Sequence, residues 1–323
     1  MAARFPPVPD LESDLLGLLA QVPRGRVATC GALADALGNR IAARWVGQFA
    51  LHHVHSDRCR CHRIVRVGGD LGGYIAGSLA DKVARLAEEG VVLRDGRIDL
   101  DRFGFEEFVG ERPLERLRRI QEKIQSRIVL RGRRRMPSLV AGVDVAYPNA
   151  GEGVAAYALV DIETTSLVWS TAVRSAVRFP YVSSYLSFRE IPILIELLEK
   201  VRAEGQIAEV LLVDGSGILH HRHAGIASHF GVIKAMPTVG VTKKLLCGQV
   251  DIRNMLPGES RPVVHEGQTI GVALRPTAGS QRPIFVSPGH RVDLAFCQRL
   301  VRRLLTGRRL PEPLYWADRL SRQ

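Results

Sequence analysis

Asp144 stands in the middle of "AGVDVAY", and Asp214 closes "EVLLVDG". Both runs are otherwise apolar and rich in strand-forming residues, so each reads as a buried β-strand. A carboxylate on a buried strand is costly unless it is hydrogen-bonded, paired or bound to a cation. Taken singly, either aspartate is a hydrogen-bonded residue on a strand. Taken together, and with Glu190 at the start of the helical "SFREIPILIELLEKV", they form an oxygen donor set suited to Mg2+ or Mn2+. Ions held this way commonly hydrolyse phosphodiesters.

The segments around them alternate between strand and helix. "SLVAGVDVAY", "GVAAYALVDI" and "SLVWSTAVRSAV" read as successive strands, the first two separated by a Gly-rich turn. "AGIASHFG" is a short helix and "PTVGVTKKLL" another strand, which makes this part an α/β domain. The first hundred residues differ. Asp10–Val22 has leucines at helical spacing, "TCGALADALGN" is a helix capped by Thr29, and "NRIAARWVGQFALHH" starts a second helix at Asn39. Two short helices joined by a Gly-Asn turn make a helix-turn-helix. "LADKVARLAEEG" is a further helix, and "VVLRDGRIDL" a hairpin turning on Asp95-Gly96. A charged helix and a basic run, Arg131–Arg135, follow. The domain boundary is expected within residues 103–115, giving domains of 1–105 and 106–323.

The 323 residues carry a formal charge of +12, which favours an anionic partner, nucleic acid before membrane. No apolar run is long enough to span a bilayer. The opening "MAARFPPVPDLESD" lacks the apolar core of a signal peptide. Five scattered cysteines, an odd number, point to a reducing, cytoplasmic compartment.

Longer motifs are more specific. "PYVSSYLSFRE" (180–190), "VDGSGILHHRHAGIASHFG" (213–231), "PTVGVTKKLLCG" (237–248), "GHRVD" (289–293) and "RLPEPLYWAD" (309–318) together resemble the endonuclease V family, the deoxyinosine 3′ endonucleases. The resemblance covers about residues 112–320 and implies a ribonuclease H-like fold whose mixed sheet carries the metal ligands. It implies that Asp144, Glu190 and Asp214 hold Mg2+, with Mn2+ able to substitute. His290 would be a further catalytic residue near the metal, and Lys243 would hold the scissile phosphate or neutralise charge. Tyr181 matches the wedge that helps separate the strands at the lesion. His220 and Arg222 match polar positions after the "DG" strand. Gly215, Gly217 and Gly240 would let backbone approach a displaced base. The family's "DGHG" is "DGSG" here, its "HPR" is "HHR" and its "PYIP" is "PYVS". These departures touch the base pocket and spare the carboxylates.

"SDRCRCHRIVRVGGDLGGY" (56–74) and the upstream "LHHVH" crowd histidines and cysteines together. Zinc sites usually show C-x2–4-C spacing with a distant second pair, and Cys59 and Cys61 are separated by one residue, which argues against a metal. A disulfide between them would close a strained ring in a reducing compartment. A nucleophile is the third reading. "GRVATCGALADALGNRIAARWVG", "CHRIVRVGGDLGGY" and "LADKVARLAEEG" resemble the DNA-binding domain of O6-alkylguanine-DNA alkyltransferases over about residues 8–90. The resemblance implies that Cys61 accepts an alkyl group, with His62 taking its proton through water and Glu89 orienting His62. Arg44 would fill the hole left by a flipped base, and Tyr74 would line the pocket. Here the family's proline before the cysteine is Arg60, a tyrosine is Cys30, an asparagine is His53 and a serine is Ile75. "EEGVVLRDGRIDLDRFGF" resembles alkyltransferase-like proteins, which bind alkylated bases without a reactive cysteine. A buried inert thiol therefore stands beside the acceptor reading of Cys61.

The sequence thus predicts a small, mainly α winged helix-turn-helix domain followed by an α/β ribonuclease H-like nuclease domain. The expected partner is DNA carrying deaminated or alkylated bases, with no membrane association and a monomeric chain. By resemblance the cut falls at the second phosphodiester 3′ to deoxyinosine, leaving 3′-hydroxyl and 5′-phosphate ends. Two alternatives stay open: an inosine-directed RNA nuclease, and an N-terminal domain that only senses damage.

Overall fold

The computed structural model describes residues 5–56, 59–132, 135–149 and 151–323. Arg133 and Arg134 of the basic run, Asp57 and Arg58 of the cysteine segment, and the first four residues lie outside them. The chain forms two units: Val8–Arg119 with Phe179–Ser183, and a larger one built chiefly from Ile120–Arg178 and Ser184–Gln323. The division falls within α-helix Pro113–Gln125. Among the described residues, no helix is long and apolar enough to cross a membrane.

In the smaller unit α1 (Leu11–Gln21) starts where Asp10 accepts the Ser13 N–H. β1 (Ala28–Thr29) leads into α2 (Cys30–Ala36), and the Thr29 hydroxyl caps that helix by accepting the Ala32 N–H at 2.9 Å. Asn39 caps a 3-10 turn that opens α3 (Ala43–His52). The two helices and their turn are the expected helix-turn-helix. β2 (Ile64–Val65) pairs with β1 in parallel, and α4 (Leu79–Glu88) begins at a Ser78–Asp81 capping box. β3 (Leu93–Arg94) and β4 (Arg97–Ile98) form the wing hairpin. It turns on Asp95-Gly96, both at positive φ, as the Asp-Gly pair predicts. The short α5 (Leu100–Phe103) closes a core of Val27, Val65, Leu86, Val91, Ile98 and Phe103.

The larger unit takes in the end of α6 (Pro113–Gln125) and is built on one mixed sheet. Its strands are β5 (Leu139–Asn149), β6 (Glu152–Asp161), β7 (Leu167–Ala176), β8 (Val210–Asp214), β9 (Thr238–Thr242), β10 (Ser260–His265), β11 (Gln268–Leu274) and β12 (Ile284–His290). They lie in the order β10-β11-β12-β9-β8-β5-β6-β7. β5, β8 and β9 are parallel; the flanking strands are antiparallel. Helices cover both faces, which is why Leu139–Val143 of β5 and Val210–Val213 of β8 are apolar without alternating. Ala141, Val143, Leu211 and Val213 pack toward α7 (Leu186–Ala203) and α8 (Ile226–Lys234). Val140, Leu212 and Val241 pack toward α9 (Leu294–Arg303) and α10 (Glu312–Ser321). This is the α/β sheet architecture expected. The β10–β11 hairpin, turning on Glu266-Gly267 at positive φ, was not foreseen.

Candidate metal centre and DNA interface

Register brings the first two carboxylates together. Val143 pairs with Val213 across parallel strands, so Asp144 and Asp214 come next on neighbouring strands and face α10. Helix α10 adds a third carboxylate. Asp144, Asp214 and Asp318 each offer an oxygen within 4.8 Å of the others. α10 reaches the sheet because Gly142 lies beneath its first turn. A Cβ there would stand 2.6 Å from the Leu314 nitrogen and collide with the Pro313 carbonyl. The close approach also lets Ser321 donate to Asp144 Oδ2 at 2.7 Å.

Burial, and then the neighbouring Asp214, push the Asp144 carboxyl up to about 6. Glu190 on α7 is buried and accepts the Tyr147 hydroxyl at 3.3 Å. Burial, then Asp144 and Asp214, hold its carboxyl well above the ordinary range. The charges are partly offset by Lys243, whose Nζ lies 2.9 Å from Asp214 Oδ2 and 2.9 Å from Asp318 Oδ1. Burial disfavours its ammonium, but the two aspartates outweigh that and hold its pKa above the usual value. The lysine ammonium thus already occupies a cation position between two of the carboxylates. An all-oxygen set of this kind, short of positive charge, fits a hard divalent ion.

Asp318 was not singled out from the sequence, although "RLPEPLYWAD" contains it. His290, expected beside the metal, is elsewhere. It pairs with Thr238, which pairs with Leu211, three residues before Asp214 and two strands away. That separation is roughly 10 Å along the strands and about 10 Å across them. A register shift between Pro288 and His290 ends β12 there, and His290 Nδ1 accepts the Val129 N–H at 3.3 Å. Burial, then Arg291 and Arg127, lower its pKa. Asp318, and not His290, is the residue found beside Asp144 and Asp214.

The polar residues after β8 are engaged internally. His220 is buried; its Nε2 donates to the Ser184 carbonyl at 3.1 Å and its Nδ1 accepts the Arg222 N–H. Burial drops its pKa to about 3, so the ring is neutral. Arg222 donates to Gln121 Oε1 at 2.8 Å and to the Ser184 carbonyl at 2.9 Å. Gly240 and Gly217 serve close backbone packing: a Cβ on Gly240 would stand 2.7 Å from the Gly215 carbonyl, and one on Gly217 would meet the Pro288 carbonyl. Gly215 itself, at φ +155, turns the chain directly after Asp214. Tyr181 is 57% exposed, a free aromatic surface.

In the smaller unit Arg44 is exposed on α3 and lines a cavity of about 590 Å³ with Cys30, Gly47, Leu51, Val65 and Gly73. Tyr74 is buried, its hydroxyl without a partner among the described residues. His62 Nε2 meets Glu89 Oε1 at 2.9 Å, and Arg63 grips both oxygens of that carboxylate at 2.9 and 2.7 Å. Burial opposes the Glu89 charge, but Arg63 and His62 prevail and lower its pKa to about 2. The expected His62–Glu89 pairing is therefore present. His62 Nδ1 is buried without a partner among the described residues. Cys61 is buried as well, and burial followed by the neighbouring Cys59 pushes its thiol up to about 12. As a free thiol it is a poor nucleophile.

Residues 122–319 match the family model for endonuclease V, and residues 10–91 that for the DNA-binding domain of 6-O-methylguanine DNA methyltransferase. A protein of Picrophilus torridus described as a bifunctional methyltransferase/endonuclease is 32% identical over 295 residues, covering 91% of this chain and 90% of that protein. The catalytic domain of human endonuclease V matches with 34% identity and a TM-score of 0.62, over 66% of this chain and 96% of that one. The endonuclease V of Ciona intestinalis, solved with a 23mer DNA containing an inosine followed by a ribo-adenosine, matches with 26% identity and a TM-score of 0.59, over 66% and 97%.

Proposed function

Because this chain belongs to the endonuclease V family and joins that nuclease to an alkyltransferase-type DNA-binding domain, we propose that it finds damaged DNA with residues 1–105 and cuts it with residues 106–323. The observation that carries the nuclease reading is the convergence of Asp144, Asp214 and Asp318, with buried Glu190 alongside. These residues would hold Mg2+, or Mn2+ in its place. The bound ion supplies Lewis acidity for water and for the leaving oxygen. Tyr147 fixes Glu190, Ser321 fixes one oxygen of Asp144, and Lys243 balances charge at Asp214 and Asp318. Lys243 would hold the scissile phosphate or neutralise its charge.

The substrate is DNA containing deoxyinosine, cut at the second phosphodiester on the 3′ side to leave 3′-hydroxyl and 5′-phosphate ends. Inosine in the DNA bound by the Ciona intestinalis relative supports that choice. Tyr181, exposed and aromatic, is the wedge against the unstacked strand. The smaller unit reads alkylated guanine. Its α3 presents Arg44 to the DNA groove, and the burial of the Cys61 thiol favours sensing over transfer. The protein works as a cytoplasmic monomer.

The test is cleavage of end-labelled duplex with one deoxyinosine, in Mg2+, by the wild type and by Asp144→Asn. A matched RNA strand and a duplex carrying O6-methylguanine are run beside it. Mg2+-dependent cutting of the inosine duplex, lost in the variant, is the expected result. Cutting that persists in Asp144→Asn sinks the metal-site assignment, and preferential RNA cutting replaces the substrate.

A further inference from the structure

The smaller unit holds a second cluster of donor atoms unlike the acidic one. His53, His55, Cys59 and Cys61 each offer a nitrogen or sulfur within 4.8 Å of the others. His53 Nε2 lies 3.2 Å from Cys59 Sγ, and His55 Nδ1 lies 3.5 Å from Cys61 Sγ. In a tetrahedral zinc site, bonds of about 2.3 Å to sulfur and about 2.0 Å to nitrogen set donor atoms roughly 3.3–3.8 Å apart. The two pairs lie at or just under that spacing.

The local chain explains how ligands one residue apart can converge. His53 ends α3 in an extended conformation, so His53 and His55 point inward while Val54 between them is 96% exposed. Cys59 and Cys61 are both buried, and Cys61 opens a short 3-10 turn that folds its sulfur back toward the histidines. The C-x2–4-C rule describes ligands on a single loop of knuckle type. Here each pair contributes from its own segment, so the rule does not apply.

The surroundings hold these ligands for a metal. His53 Nδ1 donates to the Phe49 carbonyl at 2.7 Å, which turns Nε2 toward the cluster. A ligating histidine fixed through its other nitrogen is the usual outer support of a zinc site. The His53 ring stacks on Phe49 with centroids 4.6 Å apart, and His55 packs edge-on against both His53 and Tyr74. All five cysteines are free, so no disulfide competes for these sulfurs.

We propose that His53, His55, Cys59 and Cys61 form a closed, tetrahedral site for Zn2+ or a similar borderline-soft divalent ion. Two thiolates balance the charge of the ion, so the site is neutral when filled. Binding releases the two thiol protons to solvent and forms two metal–sulfur and two metal–nitrogen bonds. Cys61 then becomes a metal-bound thiolate locked to the end of α3, and the ion staples the helix that carries Arg44 to the turn that carries His62.

The full-length protein, grown with zinc and passed through a chelating resin, is assayed for metal by plasma mass spectrometry. Wild type retains one zinc per chain, and Cys59→Ser and His55→Ala show a loss of roughly tenfold or more. Apo wild type is then refilled with Co2+, which needs no variant to fold. Intense visible bands with a near-ultraviolet sulfur charge-transfer band support the site. Weak bands alone mean cobalt on oxygen ligands at the acidic cluster and overturn the proposal. So does zinc that survives Cys59→Ser, or no retained zinc and no sulfur band.

Discussion

Replacing Asp144 by asparagine removes a negative charge while keeping the side chain's shape and an oxygen for the Ser321 hydroxyl. In the folded protein burial and Asp214 raise the Asp144 carboxyl from an ordinary 3.8 to about 6. A raised folded pKa means the fold prefers the protonated acid. That preference is present in full below the unfolded value and is lost as pH rises through about 6. At pH 8 the metal-free wild type therefore carries an ionised group whose cost is about two pH units at about 1.4 kcal/mol each, or up to about 3 kcal/mol. Asparagine never ionises, so the variant should be more stable in EDTA at pH 8 by that amount. For a unit of this size it should melt about 6–12 °C higher. Near pH 4 the difference should shrink to nothing, because the wild-type acid is then protonated. Added Mg2+ should stabilise the wild type by mass action and leave the variant where it was. Scanning calorimetry at the two pH values, with EDTA and with Mg2+, reads all of this, and the same variant should cut no inosine duplex. A variant less stable than wild type at pH 8, or a gain of equal size at pH 4, would refute the electrostatic account.

Three other outcomes follow from the same geometry. At low Mg2+ the cleavage rate should climb as pH rises through about 6, since metal and proton compete for Asp144, and more Mg2+ should move the midpoint to lower pH. A pH-rate curve flat from 5 to 8, with the range checked by stability, would speak against this. Gly142→Ala should push α10 off the sheet, cost about 1–3 kcal/mol of stability and depress cleavage by displacing Asp318; chemical denaturation and initial rates test it. Arg44→Ala should weaken binding of O6-methylguanine duplex by about 1–3 kcal/mol and of undamaged duplex by less, measured by fluorescence anisotropy.

What could be read from the chain beforehand follows a physical divide. Asp144 and Asp214 were legible because a charge inside an apolar strand breaks the local pattern, and a parallel pair of such strands needs only register to join them. Helix starts at Asp10, Thr29 and Asn39, and the Asp95-Gly96 hairpin, were legible because caps and turns are chemistry between near neighbours. Asp318 was not, because its place depends on a helix packing onto a glycine far upstream, and an aspartate on a polar helix breaks no local pattern. His290 was misplaced for the complementary reason. A motif shows which residues recur together but not how far an antiparallel strand carries them from the carboxylates. Spacing likewise gave no sign that the donor atoms of His53, His55, Cys59 and Cys61 come together. They converge because the extended chain after α3 and the 3-10 turn opened by Cys61 bring their donor atoms together, which spacing rules do not contain.

The dependence of the acidic centre on α10 also sets an order of events during translation. Every strand of the sheet, and the whole smaller unit, is made before Asp318 and Ser321 leave the ribosome. A nascent chain can therefore fold its DNA-reading part while its cutting site still lacks a carboxylate and the hydroxyl that steadies Asp144. The acidic centre is thus completed last, by a helix made after every strand that carries its other carboxylates.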